Sequence, residues 1–507
     1  MNDTTDSSVD VPQDTGEPGE RTGISGILLV SLGLIALVTV VFSQLDNSGP
    51  EALERTRLSL TNATGWFTIF VMNAMLGVVI YLGVGPHRKL RIGGPEARPD
   101  YSLFGWIGML FAAGTGIGLL FYSVSEPISH FETMRPYFGH DGDAARRAMN
   151  MTILHWGLHG WAIYALVALI LAWFHYNREG NLDFAAPLGG ASARGWRKWM
   201  GRSLNVFAIL GTVFGVVTSL GLGAAQASEG LAILTGLTPG LWLQLAIIIC
   251  VCIIATISAL SGVGRGVQSI SKLNLLVAIA LMIFVLVMGN TIFVLKAFGQ
   301  HIGYYLNNLL EVSTWRETYT GTTWQLNWTL FYWAWWIAWS PFVGLFIARI
   351  SRGRTVGEFV VMVLLVPSAF NALWMTVFGS NALHEILFED KVLLNATGPD
   401  GLYQFLALFP FAPFLIGVAT IVVLLFFVTS ADSGALVAAT LSSGKTSPPA
   451  WQKVLWMMTV LLVTALLIGG NGLHAIQTAT IVAGFPFTVL LPYLAHRLLS
   501  SMRSSGG

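Results

Sequence analysis

The residues best suited to recognising a ligand in this chain are aromatic. In FYWAWWIAWSPFVGLFIARISRGR (331–354), Trp333, Trp335, Trp336 and Trp339 stand within seven positions. A tryptophan N–H wants a partner and its bulk wants a defined surface, so such a run suits a built pocket better than plain lipid contact. On a helix at 100° per residue, Trp335, Trp336, Trp339 and Phe342 fall at about 40°, 140°, 80° and 20° from Phe331, with Trp328 and Tyr332 at about 60° and 100°. Trp333, at about 200°, points elsewhere. A second stretch, ILHWGLHGWAIYA (153–165), puts Trp156, Trp161 and Tyr164 within an arc of about 140°, with His155 and His159 opposite. Ring faces attract a quaternary ammonium, which carries charge but has no N–H to donate, so two such faces would make a box for that group. The plainer alternative is a set of rings that packs a core.

No catalytic residues emerge, and the chain does not read as an enzyme. His155 and His159 form HxxxH, but a zinc protease needs a Glu beside the first His, and Trp156 stands there. They read as core or interface histidines. Cys250 and Cys252 lie two apart in one apolar run, a spacing for neither a disulfide nor a metal pair, and read as small apolar residues. Glu126, Glu229 and Asp432 fall at the ends of apolar runs, where a solvated or capping role is the default, and Glu229 is also a candidate for an outer gate.

The elements that position these residues are membrane helices. The chain is 54% hydrophobic and 10% charged, against about 25% charged for a soluble domain. Runs of ~20 apolar residues, enough to cross the hydrocarbon core, recur at 24–44, 64–84, 104–124, 150–174, 203–233, 241–262, 273–297, 327–348, 357–379, 412–431, 453–470 and 474–497. That predicts one all-α polytopic bundle of twelve spans. The first run is no signal peptide, since an acidic tail precedes it and no small-residue cleavage site follows. A net charge of +1 points neither to nucleic acid nor to polybasic lipid binding. Lys and Arg collect in alternate loops (88–98, 178–202, 265–272, 349–354, 445–453 and 497–503), which puts both termini in the cytoplasm of a multi-pass cell-membrane protein. ARISRGR therefore reads as positive-inside anchoring, with a cytoplasmic gate as the alternative.

Two runs contain sequence that disfavours a helix: Gly114, Gly116 and Gly118 in the third, and Ser340-Pro341 in the eighth. The third and eighth runs are five apart, so units 3–7 and 8–12 would each open on a broken helix, the second unit inverted. Paired interruptions of this kind point to a secondary transporter with its site near the midplane. The boundaries expected are a disordered tail (1–22), peripheral helices and a basic loop (23–100), a first repeat (101–298), an amphipathic interfacial segment (299–325), a second repeat (326–498) and a short cytoplasmic tail (499–507).

AAGTGIGLLFYSVSEPISHF (112–131), HWGLHGWAIYA (155–165), SLGLGAAQ (219–226), WTLFYWAWWIAWSPFVGLFIARISRGRT (328–355) and FFVTSADSGA (426–435) resemble the betaine/carnitine/choline transporters across all twelve spans. The resemblance implies a sodium-transporter-like core of inverted five-helix repeats, with the first two helices outside it. It implies a central box of Trp156, Trp161, Tyr164 and Trp336, and an aromatic path through Trp335, Trp339 and Phe331. It also implies a sodium site from backbone oxygens at Ala112 and Thr115 with Phe426, Thr429 and Ser430. A second sodium site would use Thr212 and Phe342, but Val216 stands where the family has another threonine and offers no oxygen. One coupling ion is the expectation, and no cofactor.

Choline-selective members resemble this chain but carry an acidic residue at the position of Gly118, so Gly118 favours a zwitterion. The segment QHIGYYLNNLLEV (300–312) has two equal readings, the amphipathic helix that makes trimer contacts in the family and an ordinary interfacial helix; with the first, the expected partners are a small zwitterion, sodium, lipid and two further copies of the chain. About ten residues follow Leu498, too few for the basic helix of osmosensing members. The functional expectation is import of a betaine-like compatible solute by sodium symport. The alternative is proton-coupled uptake or sodium-independent exchange of carnitine- or choline-type substrates, against which Thr429 and Ser430 count.

Overall fold

A backbone in lipid has no water to bond to, so each long apolar run closes its hydrogen bonds within itself as a helix. The computed structural model describes residues 25–47, 50–114, 116–261, 264–319, 323–389, 392–470 and 472–504. The tail expected at 1–22 lies outside them. The first half contains α1 (Gly26–Asn47), α2 (Pro50–Val84), α3 (Leu103–Gly114), α4 (Ile117–Met134), α5 (Asp141–Trp156), α6 (Leu158–Ala172), α7 (Trp196–Thr235), α8 (Leu241–Ser261) and α9 (Gly264–Met288). Two shorter helices, α10 (Thr291–Asn307) and α11 (Leu309–Thr314), lead to the second half. There follow α12 (Trp324–Asn327), α13 (Thr329–Ile350), α14 (Val356–Met375), α15 (Asn381–Phe388), α16 (Gly401–Leu406), α17 (Ala412–Ser443), α18 (Ala450–Ile468) and α19 (Leu473–Arg503).

Among the described residues, eleven helical segments are long and apolar enough to cross a membrane. The twelfth run, the third in order, is missing from that number because it is split. Its pieces, α3 and α4, flank an extended Gly116 (φ −153°, ψ −177°), where the glycine-rich sequence was expected to unwind. The apolar spanning stretches of α5–α6 and α7 are almost wholly buried, as is most of that of α13. By contrast α1, α8 and α9 leave Leu29, Leu37, Ile253, Ile257 and Leu276 more than half exposed, as a lipid-facing ring would. The third helices of the two five-span units, α7 and α17, form the most extensive helix pair, and α13 packs against both α6 and α7. The protein is thus an all-α polytopic bundle with its core where the two units meet.

Three expectations are corrected. Ser340-Pro341 does not break its helix: α13 runs through Pro341 from Thr329 to Ile350. Proline lacks the N–H that would serve the carbonyl of Ile337, and the Ser340 hydroxyl donates to that oxygen instead, at 2.8 Å. The break in this run comes earlier, at Trp328 between α12 and α13. The fourth run, expected as one helix, is interrupted at Gly157, so the arc linking Trp156 to Trp161 spans a break. Finally, the seventh run ends at Met288, not 297. Asn290 caps a new helix by accepting from Phe293 N at 3.1 Å, and α10 buries Val294, Ala297, His301 and Tyr305 on one face.

The ARISRGR segment is more than a charge anchor. Arg354 is buried, lies 4.7 Å over the Trp106 ring, and donates to Glu358 Oε1 (2.7 Å) and Tyr101 O (2.6 Å). Backbone bonds between Ile92 and the Gly353–Arg354 turn complete a clasp joining the loop after α2 to the loop after α13.

Ser340→Ala should leave the Ile337 carbonyl unpaired in an apolar setting, at a cost of about 1–3 kcal/mol. Thermal melts in detergent should show a lowered midpoint for Ser340→Ala in the parent. In a Pro341→Ala background the same change should have little effect, because the backbone at position 341 then supplies the N–H.

Candidate functional site

The aromatic residues of both units converge. Trp336 on α13 stands among the three ring side chains of the fourth run: its centroid is 4.8 Å from Tyr164, 6.0 Å from Trp161 and 6.1 Å from Trp156. Trp161 and Tyr164 meet edge to face at 5.5 Å. All four are buried, so the break at Gly157 does not scatter them but aims Trp156 from α5 and the other two from α6 at one point. Trp336 is locked by its N–H, which donates to His155 O at 2.9 Å. The carbonyl is on the residue before Trp156, so the two sides of the box are pinned to each other.

Two glycines make the approach possible. A Cβ on Gly160 would lie 2.4 Å from Trp336 Cδ2, so only a bare backbone lets the indole lie against α6. A Cβ on Gly118 would lie 2.4 Å from Trp335 Cη2 and 2.9 Å from Trp156 Cη2. Gly118 therefore touches the box directly. Trp335 stacks on Phe331 (5.7 Å, 15°), one turn nearer the start of α13, while Trp339 sits one turn beyond, against Phe342 (5.0 Å), with its N–H on Gly215 O at 2.8 Å. Phe331 and Trp339 thus lie on opposite sides of Trp335 along the helix. Trp333 faces the other way, as its projection suggested, and packs on the rings of His155 and His159.

The cation-site candidates are placed more sparsely. Thr115 and the side chain of Ala112 lie outside the described residues. Phe426, Thr429 and Ser430 share α17, with Phe426 buried and the other two half-buried. The Thr429 hydroxyl donates to Leu425 O and Phe426 O at 3.1 Å each, which leaves its own lone pairs free to accept a cation. Phe426 lines a small cavity with Gly116, Leu119 and Leu120, so the break in the third run faces this stretch of α17. Thr212 is buried and donates to Ala208 O at 2.8 Å. Val216 fills space against α17: its Cγ2 lies 2.4 Å from where Gly434 would carry a Cβ.

The sequence reading missed a buried carboxylate behind the rings. Glu126 does not cap a span end in solvent; it is wholly buried and bonds His155, His130, Trp156 and Tyr332. The signal was present, since Glu126 lies nine residues into a helix with Pro127 inside it, but placing the span's end at 124 put it outside. Asp432, by contrast, is half-buried and accepts from the Ser258 hydroxyl at 3.1 Å. His155 and His159 are fully buried and hydrogen-bonded, to Thr329 and Asn73 among others, as core histidines would be.

Comparison with known proteins gives the family of the chain. Residues 26–506 match the model of the BCCT, betaine/carnitine/choline family transporter. The chain is 37% identical over 481 residues to the osmo-dependent choline transporter BetT2 of Acinetobacter baylyi, covering 93% of this chain and 69% of that protein. It is 40% identical over 494 residues to glycine betaine transporter 1 of Vibrio parahaemolyticus, covering 94% and 93%. It is 36% identical over 487 residues to the high-affinity choline transport protein of Escherichia coli K12, covering 94% and 72%.

Gly118→Ala should force Trp335 and Trp156 apart, an overpacking cost of about 1–3 kcal/mol that falls on the box. Ligand titrations on the purified variant should show roughly tenfold or greater loss of solute affinity with the fold retained by circular dichroism. Unchanged affinity would place the solute elsewhere.

Proposed function

The chain belongs to the betaine/carnitine/choline transporter family and is a multi-pass membrane transporter of small solutes; on that premise, we propose that it imports a betaine-like quaternary ammonium zwitterion by sodium symport. The observation that carries this reading is the convergence of Trp156, Trp161, Tyr164 and Trp336 from the two five-span units onto one buried point. Four π faces without a Lys or Arg among them suit a permanently charged head group that donates no hydrogen bond. Relatives named for glycine betaine and for choline share that head group. Gly118, which places no carboxylate against the rings, favours the zwitterion over choline.

The rest of the site suits the other end of such a solute. The indole N–H groups of Trp161 and Trp335 are buried and have no partner of their own. Buried donors of that kind seek acceptors, which the solute's carboxylate supplies. In the packed arrangement seen here, Trp336 lies within ring contact of its three neighbours, so an entering ammonium parts these rings. The ring motion is a small, local change of the sort that alternating access between the two units would use.

Sodium is the proposed coupling ion, held by the hydroxyls of Thr429 and Ser430 and the carbonyl of Phe426, with backbone oxygens of Ala112 and Thr115 completing the set. Hydroxyl and carbonyl oxygens are hard ligands suited to a hard cation. Such a site spans α17 and the break in the third run, while Gly118, just past that break, touches the box. A cation that orders the break would favour the solute-binding arrangement, and by linkage the solute would favour the cation. With Val216 in the second site, Thr212 and Phe342 do not make a full oxygen set, and one sodium per cycle is proposed. A cell-membrane location with both termini cytoplasmic and a homotrimer through α10 complete the reading.

Uptake of labelled zwitterions into proteoliposomes, with sodium and proton gradients imposed separately, tests this directly. Trp336→Ala and Trp156→Ala should each weaken solute binding about thirtyfold, the equivalent of ~2 kcal/mol per desolvated cation–π contact, while the protein stays folded. Uptake should depend on sodium with a Hill coefficient close to one. Thr429→Ala should raise the sodium requirement strongly and Thr212→Ala only slightly. Full-rate uptake without sodium, driven by a pH gradient or by exchange, would overturn the symport.

A further inference from the structure

The buried carboxylate behind the box has no role in the reading so far. Every lone-pair direction of Glu126 is used: Oε1 accepts from His155 Nδ1 at 2.6 Å and His130 Nε2 at 3.1 Å, and Oε2 from Trp156 Nε1 at 2.8 Å and the Tyr332 hydroxyl at 2.5 Å. An indole N–H can only donate, and four converging donors suit a carboxylate anion. The Thr329 hydroxyl, 3.0 Å from His155 Nε2, fits the tautomer that puts the His155 proton on Nδ1. Among the described residues, the ion-pair neighbours of Glu126 are the two histidines, so no Lys or Arg cancels its charge.

Trp156 links this charge to the box. Its N–H end is on Glu126, the far edge of its six-membered ring is 2.9 Å from the Cβ position of Gly118, and its ring centroid is 6.1 Å from Trp336. An indole that donates to an anion gains electron density in its ring, and cation–π attraction is electrostatic, so its face binds a cation more strongly. The effect is large where water is excluded. We propose that Glu126 is a positioning residue for solute selection: acting through the Trp156 indole, it favours a solute with a permanently positive head group over its neutral isostere. The inference rests on the reading of the box as the ammonium site.

The probes are glycine betaine and choline, each paired with its tert-butyl counterpart, in which carbon replaces the ammonium nitrogen. Calorimetric titration of the purified transporter gives the ratio of affinities within each pair, a quantity that shape alone does not move. Glu126→Gln should lower the preference for the ammonium compound about tenfold and leave the tert-butyl affinity near that of the parent. In a Trp156→Phe background, which lacks the N–H, adding Glu126→Gln should change the ratio little further. A parental ratio in Glu126→Gln, or an equal drop in both backgrounds, would overturn the proposal.

Failure of the box itself looks different: Trp156→Phe and Trp336→Ala would then both keep the parental ratio. If Glu126→Gln does not fold, Tyr332→Phe serves instead. It removes a competing donor from the same oxygen and keeps the charge, so the ratio should rise, and a parental or lower ratio would overturn the proposal.

Discussion

A polar group inside a lipid bilayer has no water to fall back on, and each departure from a plain helix in this protein is arranged around that fact. Proline at 341 is tolerated because a neighbouring hydroxyl serves the carbonyl it orphans. The Trp336 N–H finds its acceptor on a backbone carbonyl at the end of α5, and the Asn371 amide bonds the carbonyl of Trp156 at 3.0 Å, where the break at Gly157 ends the helix. Helix ends in the core are thus sealed by side chains from the other unit. Those side chains come from α13 and α14, so the second unit supplies the partners that the break at Gly157 needs.

The same constraint explains how bulky rings and bare backbone coexist. Indoles need close, flat neighbours to bury fully, and a Cβ on Gly160 or Gly118 would occupy the space the rings take. Aromatic surface and glycine are therefore two halves of one device: one side presents a face, and the other steps back to receive it. That device makes a site without charged side chains on its walls. It also leaves little slack, because the rings are held on several sides.

Charge is kept one layer back. Glu126 is surrounded by donors from α5 and α13 as well as from its own helix, and one of them, the Trp156 N–H, belongs to a ring of the box. A carboxylate on the wall would meet a zwitterion at both ends, attracting the ammonium and repelling the carboxylate. Set behind the ring, as proposed above, it would act on an ammonium through the indole and leave the wall uncharged. The arrangement also ties the helix after the first break to α5 and α13.

Much of this was legible in the sequence. Apolar runs long enough to span, charge-poor composition and alternating basic loops determine a polytopic helical bundle, because bilayer thickness and backbone pairing leave few other options. Glycine spacing marked the break at 114–116, and the spacing of tryptophans on one helix marked the face that carries Trp335, Trp336 and Trp339. What only the tertiary structure decided were matters of partnership. The Pro341 turn, read as a break, is kept helical by a local partner, Ser340, whose hydroxyl serves the Ile337 carbonyl; the fourth run looked continuous until Trp156 and Trp161 proved to lie on two helices. Glu126 looked like a solvated span end until donors from two other helices closed on it. A residue's type states what partner it needs; whether that partner arrives from a helix tens or hundreds of positions away is a property of the packing, and local spacing does not encode it.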